Sequence, residues 1–93
     1  NMVMTMDERM YYKDNLKKLE DEITNLSSNL TPSLSDEILL VEKKIEFEKI
    51  LIEIEIKQNK TVSKSTEEEL LYLIEKERIL KETKGFILQK KLD

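Results

Sequence analysis

The sequence predicts an all-α protein: three long helices in an up-down-up antiparallel arrangement, packed as a coiled-coil-like bundle and oligomeric. Three observations carry this reading. Hydrophobic residues make up 39% of the 93-residue chain and charged residues another 39%, with one Gly and one Pro to interrupt them. Abundant Glu, Lys, Leu and Ile with so few breakers belongs to long helices rather than to a disordered tail. Apolar residues recur at helical spacing through most of the chain. Two short polar stretches, one around Pro32 and one over residues 57–65, cut it into three segments. Connectors of that length join antiparallel neighbours. The expected helices cover about 6–29, 33–58 and 66–91, all in one domain.

The first helix is announced by Thr5 and Glu8, the spacing of a capping box, with Asp7 also in the first turn. Met2 to Met6 reads as a short frayed leader. Tyr12, Leu16, Leu19, Ile23, Leu26 and Leu30 then follow a 4-3-4-3-4 spacing, a single narrow seam that needs a partner helix. Ser27, Ser28 and Asn29 weaken the helix beyond that point.

The second segment allows two periods. Ile50, Ile52, Ile54 and Ile56 alternate with Glu53, Glu55 and Lys57, the signature of a half-buried strand. The only pairing partners for such a strand, residues 86–88 and 61–62, are too short for a stable sheet. The helical reading is therefore preferred. It starts either at Thr31, ahead of Pro32 in the first turn, or at Ser35, ahead of Asp36 and Glu37. On a helix the apolar residues separate into two faces. One holds Leu34, Ile38, Val41, Ile45, Ile52 and Ile56; the other holds Leu40, Phe47, Leu51 and Ile54, with Ile50 at its edge. The face centres lie roughly 150–170° apart at 100° per residue. Charged stripes fill the gaps, so this helix must be covered on two opposite sides and is expected to be the central layer of an assembly.

Thr66 before Glu67, Glu68 and Glu69 starts the third helix in capping-box form. Apolar doublets follow every seven residues: Tyr72-Leu73, Ile79-Leu80 and Phe86-Ile87. Gly85, after Lys84, offers a stop signal. The doublet register runs straight across it, so the helix is expected to continue to about Lys91. With no alanine to bring axes close, helix separations should sit near the wide end of the usual range, about 10 Å.

Composition also bounds function. The chain has no histidine and no cysteine, which removes the usual nucleophile–base pairs, the usual zinc ligands and the Glu-x-x-His pairs of di-iron bundles. Glu46 and Glu53 share a stripe with Lys49 and Lys57 and read as a solvated, salt-bridged face. The run Glu67 to Glu69 reads as helix-start electrostatics rather than a cation site. No catalytic residue, cofactor or metal is expected, and the chain is not expected to be an enzyme. The net charge is −4 with both signs interspersed, which argues against a nucleic-acid partner. No apolar run reaches the ~18 residues of a membrane span, and the N-terminus lacks the pattern of a signal peptide; a cytoplasmic location is expected. Three Asn-x-Ser/Thr matches, at Asn25, Asn29 and Asn59, are attributed to chance.

The expected role is that of a non-catalytic helical interaction module that self-associates, as a homodimer or another homo-oligomer, through apolar helix faces. The expected interface residues are Ile38, Val41, Ile45, Ile52 and Ile56 on one side of the second helix, Leu40, Phe47, Leu51 and Ile54 on the other, and Tyr72, Ile79 and Phe86 on the third. The scarcity of Gly, Ala, Pro and Arg points to an AT-rich genome. The alternative is a small stand-alone regulator, inhibitor or immunity-type protein, from a phage, a virus or an AT-rich bacterium, that binds one target protein.

Overall fold

The computed structural model describes residues 4–58 and 60–92, the last two of these by their backbone alone. The first part of the expected leader and Asn59 therefore lie outside the described residues. Three helices follow in order: α1, Met6–Ser27; α2, Leu34–Lys57; and α3, Lys64–Leu92. The stretch that alternates like a strand is the second half of α2.

Local hydrogen bonds set the helix ends. At α1 the expected box forms: Glu8 N–H donates to Thr5 Oγ1 at 3.1 Å, and Thr5 N–H donates to Glu8 Oε1 at 3.2 Å. The helix stops at Ser27, not near residue 29. Ser28 N–H closes onto the Thr24 and Leu26 carbonyls, and Ser28 Oγ donates to the Asn25 carbonyl at 2.8 Å. Leu30, the sixth residue of the seam, is thus cut off from the helix and is 94% exposed. The cap of α2 is Ser33, neither Thr31 nor Ser35. Its Oγ accepts from Asp36 N–H and the Asp36 carboxylate accepts from Ser33 N–H, both at 3.1 Å. Asp36 can close a capping box only with the residue three before it, which selects Ser33. α3 starts at Lys64, two residues before Thr66. Ser63 Oγ accepts from Thr66 N–H at 3.2 Å, and Ser63 N–H is itself held by Glu55 Oε2 at 2.8 Å. Gly85 lies inside the continuous α3, as the doublet register requires.

α2 packs against both other helices, while α1 and α3 do not pack on each other among the described residues. The result is an elongated three-helix array of 59 × 24 × 19 Å, with α2 in the middle. Its radius of gyration is 16.4 Å, against about 12 Å for a compact chain of this length. Toward α3, Val41 and Ile45 are buried against Leu73, with Leu70 and Leu80 packed around them. Toward α1, the register is pinned by polar contacts. Tyr12 Oη donates to Glu53 Oε1 at 2.9 Å, Lys43 pairs with Glu22 at 2.8 Å, and Lys57 pairs with Glu8 at 2.7 Å. Tyr12 and Leu19 are the buried residues of α1. Ile38 is buried and Ile52 half-buried. Ile56, expected on the same face, is instead 60% exposed. Leu40, Phe47, Leu51 and Ile54 are half-buried.

The first two doublets of α3 divide between two environments, while both members of the third, Phe86 and Ile87, are exposed. The residues withdrawn from solvent are Thr66, Leu70, Leu73, Glu77, Leu80 and Lys84, a 4-3-4-3-4 seam facing α2. Tyr72, Ile79 and Phe86 lie on the outer side.

Two stability predictions follow from this packing. Leu73→Ala should lower the unfolding free energy by about 2–5 kcal/mol, as for other fully buried Leu sites, and Phe47→Ala, which is only half-buried, should lower it less. Urea titration of both variants checks the order. A Cβ built on Gly85 meets nothing within 4 Å, so Gly85→Ala should raise stability by about 0.5–1 kcal/mol through helix propensity alone, read as a higher urea midpoint at unchanged slope.

Candidate protein interface

With α1 and α3 on either side of it, α2 is left open in two directions. One side carries the exposed charges of α2, Glu46, Lys49 and Glu53, the stripe recognised in the sequence. The other is a groove. Leu40, Phe47 and Ile54, spaced seven apart, lie along it on α2 and mark about 21 Å of helix. Three cavities lie along the groove, each sharing one lining residue with the next. At the α2 C-terminal end, Tyr12, Leu16 and Ile54 line an open cavity of about 720 Å³ rimmed by Arg9, Lys13 and Lys17. Glu20 links it to a middle cavity of about 310 Å³, where Phe47 lies between Ile23 of α1 and Leu73 of α3. Lys44 links that in turn to a third, of about 170 Å³, lined by Leu26, Leu40 and Leu80 beside Pro32.

The groove is electrostatically uneven. Its mouth is basic, and its middle brings Glu20, Glu48 and Glu69 to one cavity. Burial, reinforced by the nearby charge of Glu69, pushes the Glu48 carboxyl above its ordinary range. The carboxylates that tie α1 to α2 behave in the opposite way. The hydrogen bond from Lys57 holds Glu8 below the ordinary value of 4.5, and that from Lys43 does the same for Glu22. Among the described residues, no cluster of three or more acidic side chains is arranged to hold a metal ion, and no helix is long and apolar enough to cross a membrane.

The second open surface is the outer side of α3. Tyr72, Ile79 and Phe86 are 59%, 49% and 61% exposed and form one row at a spacing of seven. Arg78 bridges Glu75 and Glu82 beside it, and Lys90 Nζ lies 5.5 Å from the Phe86 ring centre. Leu71 and Ile74 are also exposed.

The residues singled out in the sequence thus fall into three groups. Ile38, Val41 and Ile45 are buried in the fold, with Ile52 half-buried beside them. Leu40, Phe47, Leu51 and Ile54 are half-buried, and three of these line the groove. Tyr72, Ile79 and Phe86, and with them Ile56, are open to solvent. The sequence reading placed Leu16 and Ile23, the α1 wall of the groove, on the α1 seam but not among the interface residues. Their signal is the split of the α1 seam: Tyr12 and Leu19 are buried, and the alternate members of the 4-3 pattern are left at the edge. Comparison with protein-family models, with curated proteins and with solved structures finds no match to this chain. Fold and surface together define an all-α three-helix array with two uncovered apolar surfaces.

The pH behaviour of Glu48 can be tested. A carboxyl whose folded pKa is raised destabilises the fold while ionised, and that cost vanishes as pH falls through its folded value. Glu48→Gln should therefore raise the Tm at neutral pH and give no gain in acid, where Glu48 is already protonated. Glu22→Gln should lower the Tm at neutral pH, because a depressed carboxyl contributes its stability above its unfolded value and loses it as pH falls. Thermal melts across the acid range check both signs.

Proposed function

We propose that this chain is a non-catalytic protein–protein interaction module that associates with copies of itself through its uncovered helix faces, in the cytoplasm and without a cofactor. The observation that carries this reading is the exposed surface. The chain presents 7189 Å² to solvent, whereas a compact monomer of its mass presents about 5,700 Å². The excess of about 1,500 Å² is more than the ~800 Å² each partner contributes to a standard interface. Part of that surface is the outer row of α3, large apolar side chains that soluble monomers seldom gather in one patch. Size-exclusion chromatography with light scattering should give a dimer or a larger closed oligomer at micromolar concentration. A monomer mass at every concentration up to the high micromolar range overturns the reading.

The groove favours a second reading, a small regulator that holds an amphipathic helix of one target protein. Its apolar floor is the length of a short helix and its rims carry both signs of charge. A stoichiometric target whose binding is lost in Phe47→Glu, with the chain's own oligomeric state unchanged, would select this reading over the first.

A further inference from the structure

Self-association alone does not say which surface meets which, and the outer row of α3 has the symmetry to decide it. Tyr72 and Phe86 stand seven residues to either side of Ile79. The row therefore reads aromatic, isoleucine, aromatic from either end. A surface that pairs with itself across a two-fold axis must be self-complementary in this sense.

We infer that two copies of the chain associate through α3 in antiparallel, two-fold fashion centred on Ile79, with Tyr72 of each copy packed against Phe86 of the other. This rests on the self-association proposed above and specifies its geometry. Charge fixes the direction. The first half of α3, with Glu67, Glu68 and Glu69 at its start, is net acidic, and the second half, with Lys84 and Lys90, is net basic. A parallel pair would set acid against acid and base against base. The antiparallel pair brings the acidic start of one helix beside the basic end of the other and also opposes the two helix dipoles. At helical periodicity it sets Glu68 of one copy opposite Lys90 of its partner, eleven residues to either side of Ile79. On one flank of the row Glu75 comes beside Glu82 of the other copy, and in each chain Arg78 already bridges those two carboxylates. The row spans about 21 Å and lies on the side of α3 away from α2, so the pairing leaves the three-helix array and its groove intact.

The absence of native cysteine makes single-cysteine variants clean reporters. Facing Cα atoms on helices 8–10 Å apart come within about 4–6 Å, inside disulfide range. The full chain carrying Ile79→Cys, oxidised under mild conditions, should form a covalent dimer. Tyr72→Cys alone and Phe86→Cys alone should not, while an equimolar mixture of the two should cross-link to each other. Because these positions are about half exposed or more, the variants should keep the wild-type helical circular dichroism. Ile79→Lys serves as a second variant without oxidation; it sets two ammonium groups face to face and should abolish the dimer with helix content unchanged. If Tyr72→Cys cross-links to itself, the pairing is parallel and the inference fails. If wild type is dimeric by light scattering but Ile79→Cys stays uncross-linked and Ile79→Lys stays dimeric, the inference fails and self-association through another face stands. A monomeric wild type overturns both.

Discussion

The fold depends on the two-sided cover of α2. A single helix with apolar residues on opposite faces cannot be satisfied by one neighbour, and two neighbours placed on opposite sides of it cannot reach each other. The array with α2 in the middle follows from that one constraint, and among the described residues α1 and α3 do not pack on each other. The cost is a small shared core. Val41, Ile45 and Leu73 form the buried cluster on one side, while Tyr12 and Leu19 are buried on the other. Neither side has the depth that a compact domain of this size would build.

A thin core leaves register to polar contacts. The α1–α2 pairing is fixed at three levels along its length by Glu8–Lys57, Tyr12–Glu53 and Glu22–Lys43. Glu8 also closes the α1 capping box, so one carboxylate both starts a helix and ties it to the next. Glu55 does similar work at the other connector, where it holds the N–H of the residue that caps α3. Exposed ion pairs contribute little energy singly. Here their value is positional, because sliding α1 by one turn along α2 would break all three contacts together.

The sequence carried the architecture and missed the details that depend on a few local hydrogen bonds. The two faces of α2 were legible because a 24-residue helix repeats its pattern often enough to be read. The caps of α2 and α3 were not, because Thr31, Ser33 and Ser35, or Ser63 and Thr66, offer similar side-chain oxygens within a few residues. What selects among them is Asp36 for Ser33 and the distant Glu55 for Ser63, and only the first is local. The second apolar face of α2 was read as packed, whereas Leu40, Phe47 and Ile54 are half-buried beside a groove. A helical wheel gives the direction of a residue but not how far round the neighbouring helix extends. The doublets of α3 were legible as a seven-residue repeat, but not which member of each faces inward: Leu73 and Leu80 turn toward α2 while Tyr72 and Ile79 face solvent, and both Phe86 and Ile87 are exposed.

That division makes α3 resemble α2. Both carry apolar residues in two directions, but α2 finds a helix on each side within the chain and α3 finds one only on the inside. The physical argument that placed α2 in the centre applies again one layer further out. Tyr72, Ile79 and Phe86 have the heptad spacing of a packed row, and exposed aromatic side chains in a row gain most when they are covered together, because each shields its neighbours from water. Adding one helix beside α3 turns an edge into an interior layer without moving anything already in place. In the dimer proposed above that helix is a second α3, which matches it in length, charge gradient and symmetry.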